Sequence, residues 1–328
     1  MTNCKLRWLL AVTLLGAHSL AAGAGAEPDL KRVYPQAAVI VPAAKTAMIL
    51  GMARAGARVV AVGEQGVVLL RDAPDAPLRQ AKTVPVDATL TAVDFVDAQH
   101  GWAVGQWGVI LATTDGGEHW QQQRLDIDND RPLFAVHFID AEHGVAVGLW
   151  SLVLTTADGG KTWIERKVEP PPDSSRADLN LLGLFGDSQG TLYATGERGM
   201  VLKSTDQGAS WRYLPTGYKG SLWTGIALDD GSLLVGGQRG SLFRSDDGGE
   251  HWTAVESGGK HSITAFAKQG ANVVAVGLEG FVAFSSDNGR TFSAQTRADR
   301  LALTAALADG KGRWMFGSRA GLVAEPAR

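Results

Sequence analysis

Seven short turns, spaced almost evenly along the chain, constrain its fold more than any other feature. Six have the form Gly-x-x-Gly or a close variant: Gly63-Glu-Gln-Gly66, Gly105-Gln-Trp-Gly108, Gly148-Leu-Trp-Ser151, Gly196-Glu-Arg-Gly199, Gly237-Gln-Arg-Gly240 and Gly277-Leu-Glu-Gly280. The seventh, one residue longer, is Gly317-Ser-Arg-Ala-Gly321. Their first glycines step by 42, 43, 48, 41, 40 and 40 residues. Each turn separates two apolar, β-prone runs, which is the pattern of a hairpin. A closing glycine suits a positive φ, as in a type I turn followed by a G1 bulge. Ser151 lacks that freedom, so its turn should be strained or of another type.

A second mark follows five of the hairpins. It reads Ser/Thr-x-Asp-x-Gly-x-x-Trp/Phe and spans Thr113 to Trp120, Thr156 to Trp163, Ser204 to Trp211, Ser245 to Trp252 and Ser285 to Phe292. A short aspartate accepts hydrogen bonds from amides of its own turn. The glycine reaches conformations closed to other residues, and the aromatic buries a large ring beneath. Asp115, Asp158, Asp206, Asp247 and Asp287 are therefore read as structural, as are Trp120, Trp163, Trp211, Trp252 and Phe292. One carboxylate per turn supplies no calcium cage, so no metal or other cofactor is expected.

In the second repeat, strands are predicted at Leu90 to Asp97, Gly101 to Gly105, Val109 to Thr113 and His119 to Arg124. Four strands in about 40 to 45 residues make one propeller blade. The fold class is therefore all-β: a single seven-bladed β-propeller over residues 37–328, with four-stranded blades. The last repeat runs out after three strands, so the β-prone run Ala37 to Ala43 is expected to complete it and remove the free edge. Hairpins and inter-blade connections should share one face of the ring, and the Asp turns the other.

Residues 1–26 read as a signal peptide: Lys5 and Arg7 precede the apolar run Trp8 to Leu15, and Ala24-Gly-Ala26 offers a cleavage site before Glu27. Residues 27–36 read as a polar tail. The expectation is export, to a periplasm or to a thylakoid lumen if the source is photosynthetic. Cys4, the one cysteine, lies inside the signal, so the processed chain would carry no thiol, disulfide or Cys-ligated metal. A net charge of −3 with no Lys/Arg run argues against nucleic acid as partner.

The Asp turns match the Asp-box, or bacterial neuraminidase repeat. Repeats two and three carry a longer string, Phe95-Val-Asp-Ala-Gln-His-Gly-Trp-Ala-Val-Gly105 and Phe138-Ile-Asp-Ala-Glu-His-Gly-Val-Ala-Val-Gly148, each followed by Thr-x-Asp-Gly-Gly-x-x-Trp. That string resembles the photosystem II stability/assembly factor family of seven-bladed propellers, over roughly residues 46–324. The resemblance implies a non-enzymatic accessory factor that binds a subunit of a membrane protein complex from the exported side, and the propeller itself is expected to be monomeric. Photosystem II would be that complex only in a photosynthetic source.

The candidate binding residues are those at the second turn position. After Gln65 they read Trp107, Trp150, Arg198, Arg239, Glu279 and, in the longer last turn, Arg319. A propeller brings these positions to one rim, where Trp and Arg serve as interface anchors. The family is known for an arginine-rich patch, and the resemblance makes these arginines its candidate counterpart. The competing reading is of ordinary turn residues, with the tryptophans packed on the neighbouring blade.

No catalytic residue is assigned. A sialidase-like hydrolase would need a tyrosine nucleophile from Tyr34, Tyr193, Tyr213 or Tyr218. Other glycosidases would need paired carboxylates, for which Glu64, Glu197 and Glu279 are on hand. A glycan- or ligand-binding propeller is the remaining alternative. The loop Asp126-x-Asp128-x-Asp130 starts like a calcium loop but has Arg131 and His137 where Gly and Glu belong. His100, His143, His119 and His251 recur at repeat positions and read as structural.

Overall fold

The computed structural model describes residues 35–171 and 174–325, so the expected signal peptide and most of the tail lie outside the described residues. From Pro35 onward the chain forms one compact unit. Each repeat is one antiparallel sheet, and the seven sheets follow one another as a seven-bladed all-β propeller. Six blades have four strands, and the seventh has three among the described residues. In blade two the strands are Leu90–Phe95, Gly101–Gly105, Ile110–Thr113 and Gln121–Arg124, within two residues of the predicted bounds. Among the described residues, helix is confined to short 3₁₀ turns.

Burial peaks at the second strand of a blade and falls toward its outer edge. Second strands such as Gly101–Gly105 and Trp314–Ser318 are buried at every residue. Both their faces meet neighbouring blades, which is why they read as continuous apolar runs rather than alternating ones. Outer strands such as Gln121–Arg124 are polar and partly exposed. Between blades two and three, Trp102 stacks on Phe138 with ring centroids 3.4 Å apart, and Trp163 meets Phe138 edge-on. Threonine hydroxyls also bridge blades at the first strand. Thr91 Oγ1 donates to the Leu133 carbonyl at 2.7 Å, and Thr264 Oγ1 to that of Leu303 at 2.8 Å.

The ring closes by the same bridge, which corrects the expectation for residues 37–43. Thr304 Oγ1 of blade seven donates to the Ile49 carbonyl of blade one, and Arg54 Nη1 donates to the Ala308 carbonyl at 3.0 Å. The 37–43 run forms no strand. Its Ala38 amide donates to Val84 O, in the connection from blade one to blade two, and its Val41 amide to Gln80 Oε1 of blade one's outer strand, before a 3₁₀ turn over Pro42–Thr46. Val39 and Ile40 stay exposed there. Face-to-face packing of the first and last blades removes the need for a shared strand.

The Asp turns are self-contained. Asp115 Oδ1 accepts from the Thr113 hydroxyl at 2.9 Å and the His119 amide at 3.0 Å. Thr113 Oγ1 in turn accepts from the Gly117 amide at 3.0 Å. Asp158, Asp206, Asp247 and Asp287 repeat this arrangement. Trp120 is buried, and its Nε1 donates to Gly117 O. The other four aromatics, Trp163, Trp211, Trp252 and Phe292, are half-buried.

Candidate binding face of the hairpin turns

The hairpins gather on one face because each is bonded to the connection entering its own blade. The first turn amide donates to the carbonyl just before the first strand: Gln106 to Thr89, Leu149 to Pro132, Glu197 to Asn180, Gln238 to Ser221, Leu278 to Ser262. Arg319 of the longer turn donates to Ala302 in the same way.

The turn type differs from the expectation. Gln65, Trp107, Trp150, Arg198, Arg239 and Glu279 all have φ between 53° and 58°, and the closing residues are left-handed as well. Two successive left-handed residues, with Val67 N–H donating to Glu64 O, make a type I′ turn. That form matches the right-handed twist of the flanking strands, which a plain type I turn would splay. Ser151 keeps the same turn at φ 55°, so the strain reading holds for it, and its amide is secured by Leu179 O at 2.7 Å. Arg319 lies outside the pattern, in the longer turn closed by Gly321.

The candidate residues divide by environment. Trp107 is half-buried and packs with Leu125 against the core of blades one and two, in line with the competing reading. Arg124 clasps this turn through Gly108 O at 2.7 Å, and the Asp126 amide donates to Trp107 O. Asp126 pairs with Arg124, so the acidic loop braces a hairpin. Trp150 is 59% exposed, the largest aromatic surface on this face. Arg198 is half-buried, and Arg239 and Arg319 are exposed. Glu279 is exposed and pairs with Arg300 at 2.7 Å, which neutralises its contribution to the face.

Asn180 is a residue the sequence reading did not single out. Its Oδ1 accepts from the Trp150 amide at 3.1 Å, and its own amide and Nδ2 donate to the two Glu197 carboxylate oxygens. It thereby ties the Trp150 hairpin of blade three to the Glu197-Arg198 hairpin of blade four. Its position, where the long connection of residues 165–180 meets the first strand, was the available signal.

Tyr34 lies outside the described residues, and the other groups that an Asp-box hydrolase would use are engaged. Glu64 accepts from the Met48 amide at 2.8 Å and Glu197 from Asn180. Tyr193 is buried, which pushes its phenol up to about 12, and its hydroxyl donates to Gly248 O. Tyr213 and Tyr218 donate to Glu169 O and Gln238 O. His100 and His143 bond the aspartates of their own turns, Asp97 and Asp140. No group of three His, Cys, Asp or Glu that could hold a metal ion occurs among the described residues.

Comparison with known proteins agrees with this architecture. The family model described as photosynthesis system II assembly factor YCF48 matches residues 73–134 and 125–269. The photosystem II assembly protein Ycf48 of Thermosynechococcus vestitus is 36% identical over 50 residues, a match that spans 15% of this chain and 14% of that protein. Among solved structures, YCF48 bound to D1 peptide superposes with a TM-score of 0.69 at 19% identity, covering 88% of this chain and 96% of that one. YCF48 from Cyanidioschyzon merolae does so with a TM-score of 0.68 at 17% identity, over 87% and 96%. The extent of the family match shows that this chain belongs to the photosynthesis system II assembly factor YCF48 family.

Proposed function

We propose that this chain is an exported, non-enzymatic propeller that captures a subunit of a membrane protein complex and assists its assembly or stability. One observation carries the reading: large Trp and Arg side chains stand in left-handed turn positions on a single face. A left-handed conformation costs an L-residue about 1–2 kcal/mol, which Gly would not incur. Bulky residues held there mark a face used for its side chains. Trp and Arg are also the residues that carry most of the energy at protein interfaces. Family membership supports the assembly role, and the relative bound to D1 peptide supports a subunit segment as ligand. The apolar run at Trp8 to Leu15 supports export. Photosystem II is the complex if the source is photosynthetic.

The test is capture of partners from detergent-solubilised membranes, followed by mass spectrometry. The double variant Arg198→Glu, Arg239→Glu should reduce capture by about tenfold or more, with an unchanged melting temperature. Undiminished capture by the folded variant would remove the hairpin face from the mechanism. Turnover of a fluorogenic glycoside would favour the hydrolase alternative instead.

A further inference from the structure

The outer edge of blade seven is built unlike the other six. Elsewhere an outer strand of two to four residues, such as Arg79–Gln80 or Gln121–Arg124, covers the third strand. Among the described residues, nothing pairs with the outer side of Gly321–Ala324. The Glu325 amide turns inward, donating to Trp314 O. By the alternation of an antiparallel ladder, Leu322 and Ala324 turn their backbone groups outward. Arg297 Nη1 accordingly reaches the Ala324 carbonyl from outside, at 3.0 Å.

The Asp turns explain why both flanks of this blade are open. Each Asp turn leans on the preceding blade: Gly117 lies against Val60 and Leu70, and Gly289 against Leu234. Among the described residues, neither blade seven nor blade one carries such a turn. A groove of about 620 Å³ therefore opens on the blade-six side of blade seven, and one of about 550 Å³ on the blade-one side, with Trp314 lining both. Each groove is lined by a residue with a side-chain nitrogen buried beneath its surface and lacking a hydrogen-bond partner: Gln295 Nε2 in the first, Arg71 Nε in the second. Arg71 occupies the ladder position that Thr113 takes in blade two. It joins no ion pair among the described residues, whereas Asp75 and Asp309 across the groove are already paired with Arg313.

We propose that this edge is a strand-addition site for an extended, acidic peptide segment of a partner protein. The segment pairs with Leu322 and Ala324 as the outer strand of blade seven and sets an Asp or Glu carboxylate against Arg71. Successive strand residues point to opposite faces, so the neighbouring side chain presents an acceptor to Gln295. Main-chain bonds supply affinity, and the two grooves select sequence. The carboxylate forms the charge-assisted bond that Arg71 lacks. The chain's own 37–43 run is not the occupant, because Val41 is bonded to blade one and Ala38 to the connection that leaves it. The inference uses none of the hairpin residues, so it stands or falls apart from the proposed function.

The probe is the fluorescently labelled peptide Val-Thr-Glu-Thr-Val, whose threonine hydroxyls supply the acceptor, with its Glu→Gln twin, titrated by anisotropy against the full chain. Binding of the Glu peptide should weaken about tenfold in the twin and in an Arg71→Met chain. It should weaken as much in Ala324→Pro, which removes an outward amide, and remain unchanged in Arg198→Glu, Arg239→Glu. In the unaltered chain, amide exchange at Leu322 and Ala324 should be fast alone and slowed by the peptide. Equal affinity for both peptides, or indifference to both edge substitutions, would overturn the proposal. So would slow exchange in the free chain, which would mean that the chain itself or a second copy already covers the edge.

Discussion

Trp150 and Gly105 occupy matching hairpins, yet opposite constraints act on them. Gly105 has φ −178°, extended backbone open to any residue. Its restriction is contact: a Cβ there would run into the Thr89 carbonyl that the turn amide of Gln106 uses. Gly105→Ala should therefore lower unfolding free energy by about 1–3 kcal/mol, the range for overpacking a tight site. Trp150 has φ 53° and projects into solvent. Trp150→Gly relieves the left-handed strain and should leave stability unchanged or raise it by up to about 1 kcal/mol, while partner capture falls. Urea melts paired with the capture assay separate the two. A Trp150→Gly chain that captures normally would make the exposed indole a turn residue and nothing more. The sequence shows both ends of Gly-x-x-Gly alike. It does not show that the first glycine serves contact alone and the last one both contact and φ, because the contacts are to connections some sixteen to twenty residues away.

The Asp turn is the element most legible in the sequence, because nearly all of its bonds lie within eight residues. Thr113, Asp115, Gly117 and His119 satisfy one another, and the same register recurs in five blades. The setting of the aromatic that ends each turn is less legible. Trp120 bonds Gly117 O, Trp163 turns to Gln123 of the preceding blade, and Trp252 Nε1 finds no partner. These differences come from neighbouring blades, which the repeat pattern does not encode. Local bonding also makes the turns acid-sensitive. The Thr162 amide and hydroxyl hold Asp158 at about 2, and the His251 amide and ring do the same for Asp247, both below the ordinary 3.8. A carboxylate with a depressed folded pKa contributes stability that is complete above its unfolded pKa and is lost as pH falls through the folded one. Melting temperature should therefore hold steady from pH 7 to about 5 and fall between about 4 and 2. Asp158→Asn should start lower at neutral pH and lose less on acidification, so the two curves converge. Parallel curves would show that the turn carboxylates do not drive acid unfolding.

At the scale of the whole ring, the repeat count and the two-faced layout follow from the spacing of the hairpins, but the seam does not. A missing outer strand at one end and a β-prone run at the other suggest a shared last blade. The structure instead joins blade seven to blade one as it joins two to three and six to seven, through a threonine hydroxyl and a neighbouring carbonyl. Gly317 is packed under Ile49, and Asp75 of blade one pairs across the seam with Lys311 and Arg313. No local pattern distinguishes Thr304 from Thr91 or Thr264, so the sequence carries the bridge but not its use as the closure. The consequence is measurable. Deleting residues 37–41 removes a segment whose Val39, Ile40 and Val41 are 70%, 65% and 41% exposed, so little buried apolar area is lost and the melting temperature should shift only slightly. Thr304→Val keeps the shape but strips the Ile49 carbonyl of its partner. It should cost about 1–2 kcal/mol, seen as a lower urea midpoint with an unchanged slope. Collapse of the deletion variant, with Thr304→Val unaffected, would place the latch of the ring in the N-terminal arm after all.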